Sequence, residues 1–215
     1  MTHMSAQLIH TPSTSQRTAK ENDPMKPQRI ALALLLAMTF LITPVTPNNA
    51  VAQTVIGGDP EMLTAFQRGD LPKVKSLVIR GDNPSMTDFD GRNGITIAAR
   101  NGHYHILDYL LQLSTPIDHQ DNIGNTALFW ASEDGDYDMV AYLLDKGASV
   151  DIRNGRGLTP VMTAARAGYL DILELLIDHG ADLTIRDYTG RSPLDWARDS
   201  RTPGVEQALI QAGAQ

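Results

Sequence analysis

The chain is 215 residues long, 42% of them hydrophobic, and carries 18 Lys and Arg against 25 Asp and Glu, a formal net charge of −7, with no cysteine. Without thiols there is no disulfide framework, no cysteine-based zinc site and no cysteine nucleophile. The acidic balance argues against a nucleic-acid partner, whose phosphates it would repel.

In chain order, residues 1–24 are polar, rich in Ser, Thr and Gln, and are expected either to hold no packed structure or to lie upstream of a true start at Met25. The text then changes. A basic segment, Met25 to Arg29, precedes an apolar run of 13 residues, Ile30 to Ile42, broken only by Thr39, and Ala50-Val-Ala52 follows. Basic, apolar, then Ala-x-Ala is the order of a secretory signal peptide, and the run is shorter than the roughly 20 residues that span a bilayer as a helix. Cleavage is expected after Ala52, with export to a periplasm and only transient membrane contact; the alternative is an uncleaved anchor. Removing residues 1–52 leaves 14 basic and 23 acidic side chains, a formal −9.

Past a short linker, 53–58, the first unit (59–87) offers Met62, Leu63, Ala65 and Phe66 for an inner helix and Leu71 to Ile79 for an outer one. Its solvated face is suited by Lys73, Lys75 and Arg80, as a terminal unit requires. The second unit (88–120) has Asn93 and Gly94 where later units place Thr or Ser before a helix, and Ser114 where they place glycine after one. A poorly started inner helix and a weak point in the stack are expected there. The third (121–153) is aromatic, with Phe129, Trp130, Tyr137 and Tyr142. In the fourth (154–186), Thr159 and Pro160 read as an N-cap hydroxyl and a first-turn proline, and Gly168 and Gly180 end the two helices. Ala181, Leu183 and Ile185 alternate as a short extended hairpin would. The fifth (187–215) opens again on Ser192-Pro193, carries Arg201 where other units have glycine, and is expected to close the stack.

The units share one period. Gly91, Gly124, Gly157 and Gly190 are 33 residues apart, as are Gly69, Gly102, Gly135 and Gly168, and Gly147, Gly180 and Gly213. Three glycine columns in one register indicate an array of identical supersecondary units. With Asp121, Gly124, Thr126, Leu128, Ala131, Gly135, Leu143, Leu144, Gly147 and Ala148, then Gly157, Thr159, Pro160, Ala164, Ala165, Gly168, Leu176, Gly180, Ala181 and Asp182, the array resembles ankyrin repeats. The resemblance covers residues 59–215. It implies an all-α repeat solenoid of stacked helix-turn-helix units with short β-hairpin tips. Phe129, Met162, Asp195 and Thr96 occupy the column where that family usually ties neighbours through a histidine, so that network is not expected.

Motifs for chemistry are weak. His103 and His105 are two apart and do not converge as metal ligands; with His119 and His179 they suit structural or solvent roles. The acidic run Glu133 to Asp138 lacks the ligand spacing of a calcium loop, and no nucleophile elbow, phosphate loop or metalloprotease motif occurs. No enzyme, cofactor or metal is expected. The resemblance implies instead a monomeric scaffold or adaptor that binds a protein through its hairpin tips and concave inner-helix face. Carried onto this sequence, that surface is Phe89, Asp90, Arg92, Arg100 and Asn101; Asn122, Ile123, Asn125, Glu133 and Asp134; Arg153, Arg156, Leu158 and Arg166; and Arg186, Tyr188, Thr189 and Arg191. Its basic share lies toward the C-terminal half. Stabilisation of an exported enzyme, or binding of a small ligand or cation, are the alternatives. Trp130 and Trp196 either pack between units or lend an edge to the concave face.

Overall fold

The computed structural model describes residues 60–200 and 202–214; the expected signal segment and linker, and Arg201, lie outside the described residues. Ten helices form among them: α1 Pro60–Arg68, α2 Leu71–Arg80, α3 Gly94–Arg100, α4 Tyr104–Gln112, α5 Ala127–Asp134, α6 Tyr137–Asp145, α7 Pro160–Ala167, α8 Leu170–Asp178, α9 Pro193–Ser200 and α10 Pro203–Gln211. The odd-numbered inner helices pack each on the next, and α6, α8 and α10 stack behind them. None of the helices is long and apolar enough to cross a membrane.

Helices of 7 to 10 residues are marginal in isolation, so burial between neighbours holds them. Leu110, Leu143, Leu176 and Leu209 are fully buried in successive outer helices, each stabilising by about 1.5 to 3 kcal/mol. Their following neighbours differ: Leu144 is buried, Leu111 and Ile177 are half-buried, and Ile210 is exposed. Adjacent helical residues point about 100° apart, so one of each pair faces the core and the other its rim.

Two expectations about helix starts are corrected. Asn93 does cap α3: its Oδ1 accepts the Thr96 amide at 3.0 Å, and its Nδ2 donates to the Pro116 carbonyl at 3.1 Å. Gly94 sits there because a Cβ would meet Leu110 Cδ1 and the Phe66 ring at 2.8 Å. Conversely Thr159 has N-cap backbone angles but makes no capping bond, and its buried hydroxyl has no partner among the described residues. Pro160, lacking an N–H, lowers the demand for one. The Ser192 signal is a full capping box: Ser192 Oγ accepts the Asp195 amide at 3.3 Å, and Asp195 Oδ2 accepts the Ser192 amide at 2.9 Å.

The hairpins contract to turns. No strand forms among the described residues, only the isolated bridge between Thr87 and Asn93. Each tip is closed by one pair of backbone bonds, as where the Asn154 amide donates to Leu158 O and the Gly157 amide to Asn154 O, both at 2.9 Å.

Candidate functional site

The tips are organised by a single side chain per unit: Asp88, Asp121, Asn154 and Asp187, 33 residues apart. In each, Oδ1 accepts the amides two and four residues ahead, for Asp121 those of Ile123 at 3.1 Å and Asn125 at 2.8 Å. This Asx geometry is why Asp or Asn stands there. The second oxygen of Asp121 accepts the Trp130 indole N–H at 2.8 Å, and that of Asp187 accepts Trp196 at 3.1 Å. Burial pushes the Asp187 carboxyl up, but donors from Thr189, Arg191 and Trp196 outweigh it and hold the group below its ordinary value.

Successive tips are bonded to one another. Asn122 donates its amide to Asp90 O at 2.9 Å, Gly155 to Ile123 O at 2.9 Å, and Tyr188 to Arg156 O at 3.2 Å. The result is a row of turns fixed in mutual register. Held on it, side chains that the fold does not bury stand in solvent: Phe89 is 78% exposed, Ile123 59% and Tyr188 70%. Asp90, Asn122, Arg156 and Thr189 are exposed beside them. The Thr189 hydroxyl bonds Asp187 at 2.7 Å and the Asn122 amide group bonds Phe89 O at 2.9 Å.

Two sequence-assigned residues point the other way. Asn125 is 2% exposed and receives Asn154 Nδ2 at 2.9 Å, while Leu158 is 3% exposed and packs with Phe129, Met162, Ile185 and Trp196. Neither can touch a partner without unfolding its turn. Phe129 and Met162, in the column lacking histidine, supply this apolar contact between units instead.

Near the C-terminal ends of the inner helices the column Arg100, Glu133, Arg166, Asp199 alternates in sign. Arg166 pairs with Glu133 at 2.7 Å, Arg100 with Asp134 at 3.4 Å, and Arg191 with Asp199. Their guanidinium groups also lie over indole rings, Arg100 at 4.3 Å from Trp130 and Arg191 and Arg166 at 3.8 and 5.8 Å from Trp196. Arg92 is spent on Asp88 and Asp90 at 2.8 and 2.7 Å, and Asn101 donates to Ile97 O at 2.7 Å. Each of these arginines is therefore paired with a carboxylate of its own scaffold. Both tryptophans are half-buried and held within the stack by these bonds.

The remaining polar candidates are structural. Ring nitrogens of His103, His105 and His119 hydrogen-bond Gln67 O, Gly69 O and Gly91 O at 3.0, 2.9 and 2.7 Å, joining units, and His179 bonds Leu175 O at 2.8 Å. In the acidic run, Glu133 and Asp134 are paired as above and Asp136 accepts the Met139 amide at 3.0 Å to cap α6. No group of three His, Asp or Glu side chains suited to a metal ion occurs among the described residues.

A column that sequence reasoning did not connect is Gln120, Arg153 and Arg186, again 33 apart. Gln120 donates to Gly124 O at 2.8 Å and Arg153 O at 3.0 Å; Arg153 donates to Gly157 O at 3.4 Å and Arg186 O at 2.7 Å; Arg186 donates to Gly190 O at 3.0 Å. Each clamps the tip that follows it in the chain, and the first two also bond the residue that leads into the tip after that. The signal was present as a column of long donor side chains, but carbonyl partners leave no trace in sequence.

Comparison with known proteins agrees with this geometry. A family model described as ankyrin repeats in three copies matches residues 62–154, and one described as ankyrin repeats in many copies matches 143–197. Human "Ankyrin repeat domain-containing protein 39" is 37% identical over 57 residues, 26% of this chain and 31% of its own. The Arabidopsis thaliana "Potassium channel SKOR" is 46% identical over 46 residues, 21% of this chain and 6% of the channel. The chain thus spans less than a third of the length of either relative.

Proposed function

The chain belongs to the ankyrin-repeat family, and on that premise we propose that it is a non-catalytic adaptor that binds a protein partner through its row of tips. Repeats of this family serve generally as protein-interaction modules. The observation that carries the reading is the row itself: Phe89, Ile123 and Tyr188 are large apolar or aromatic side chains left in solvent on turns whose backbones are bonded in register. Exposed side chains on a rigid frame lose little freedom on binding, which is where affinity is otherwise lost. Large aromatics are also the commonest hot spots.

The finer reading keeps the adaptor outside the cytoplasm, as a monomer exported through the segment 25–52, with no nucleic acid, cofactor or metal involved. N-terminal sequencing of the exported protein tests this part: a mature chain beginning at Met25 overturns cleavage after Ala52.

The binding surface is tested by placing a photo-crosslinking residue at Ile123 in the full chain, and in a parallel preparation at Lys75 on α2. A protein joined from position 123 and not from 75, whose binding as a purified partner weakens about tenfold or more with Phe89→Ala and Ile123→Ala together, supports the tip surface. Equal joining from both positions, or binding unchanged in the double variant, overturns it.

A further inference from the structure

The clamp column separates charge from structure. At the tip of the third unit a neutral amide, Gln120, makes both clamping bonds; at the tip of the fourth Arg153 makes the same two, and at the tip of the fifth Arg186 makes the first of them. The fold needs a donor at these positions and has no need of a positive one. Arg153 makes no ion pair among the described residues, and the Arg156 side chain makes neither ion pair nor hydrogen bond there; Arg186 has only Asp195, at 3.6 Å. Asp187, next to Arg186 in sequence, is buried and already accepts from Thr189, Arg191 and Trp196.

The charge is also held in place. The Arg153 guanidinium lies 5.0 Å from the Tyr188 ring centre, and the pair closes over Gly157, at φ +79°, where a Cβ would come within 2.8 Å of the Tyr188 amide and 3.1 Å of Arg153 Nη2. Two bonds to carbonyls fix the guanidinium but do not neutralise it. On the other half of the row, Arg92 is neutralised twice over and the prominent side chains are Phe89 and Ile123. The row is therefore polarised, apolar at one end and cationic-aromatic at the other, on a chain of formal charge −7.

Resting on the adaptor reading, we propose that the partner presents an acidic segment, whose Asp or Glu carboxylates meet Arg153, Arg156 and Arg186 beside Tyr188 while an apolar residue meets Ile123 or Phe89. Guanidinium groups favour planar carboxylates through paired N–H donors, and a pre-placed one loses less freedom on pairing. A polyphosphate is disfavoured by the chain's net charge at long range.

The test is selection of a displayed library of random dodecapeptides on the full chain, then solution affinities of the enriched peptides for the wild type and for Arg153→Gln with Arg156→Gln. Glutamine preserves the clamp, as Gln120 demonstrates, so the melting temperature should hold and a loss of binding cannot be ascribed to unfolding. Enriched peptides should be rich in Asp and Glu, bind about tenfold weaker to the double variant, and weaken with added salt. Peptides without acidic bias whose binding depends on Phe89 and Ile123 alone would overturn the polarity and leave the adaptor reading standing. Failure to enrich any peptide counts against both. Tighter binding of a single-stranded oligonucleotide than of the acidic peptides would overturn the assignment to a protein carboxylate.

Discussion

Ser114 adopts φ +60° after α4, a left-handed conformation that Gly81, Gly147, Gly180 and Gly213 occupy in the other units. A side chain there crowds the backbone, and serine tolerates it less well than glycine. Ser114→Gly is expected to stabilise the protein by about 0.5 to 1 kcal/mol, read as a higher midpoint in urea unfolding. A second residue-scale effect is acid sensitivity. Asp187 and Asp195 both titrate below the ordinary carboxylate value, Asp195 through the Ser192 amide and hydroxyl. A depressed folded-state pKa contributes stability that is complete above the unfolded value, about 3.9, and is lost as pH falls through the folded one. Asp187→Asn with Asp195→Asn should therefore flatten the fall in stability below about pH 4, measured by Trp196 fluorescence, while leaving its slope near pH 7 unchanged.

For single elements, the period located every pair of helices and most of their ends, because glycine columns and apolar stripes repeat wherever the same backbone does. What it missed were substitutions that solve one problem differently. Asn93 is not Thr, yet its side-chain oxygen caps α3; Thr159 has the residue type of a cap, yet its hydroxyl makes no bond. Two residues of the candidate surface depart from it in the same manner. Columns place Asn125 and Leu158 in the tips, but which way a turn residue faces depends on its dihedral angles, and both face inward. The alternation of Arg100, Glu133, Arg166 and Asp199 was legible, yet the choice of neighbour was not, since Arg100 reaches Asp134 and not Glu133. The burial of one leucine per outer helix was readable and has a direct consequence. Leu143→Ala, at a fully buried position of α6 with α4 and α8 on either side in the stack, is expected to cost about 2 to 5 kcal/mol in denaturant unfolding. Leu111→Ala, at the half-buried rim of α4, should cost clearly less.

At the scale of the whole array, stability is a sum over units and the contacts between neighbours, so position in the stack decides how easily a helix opens. α6 buries Met139, Val140, Leu143 and Leu144, whereas α10 buries Val205 and Leu209 and leaves Ile210 half in water. α6 has a side-chain cap from Asp136, while Thr202 gives α10 none. α10 packs on α8 and α9 and has no following unit among the described residues. Its backbone hydrogen bonds should open by local fraying, at a free energy well below that of global unfolding, while those of α6 should open only with the stack. Native-state hydrogen exchange reads this difference: amides of 205–211 are expected to exchange at least about tenfold faster than those of 140–145, with α8 between them. Equal protection across the three helices would mean that the array unfolds as one cooperative body, in which case the tips of the fourth and fifth units are held as firmly as those at the centre.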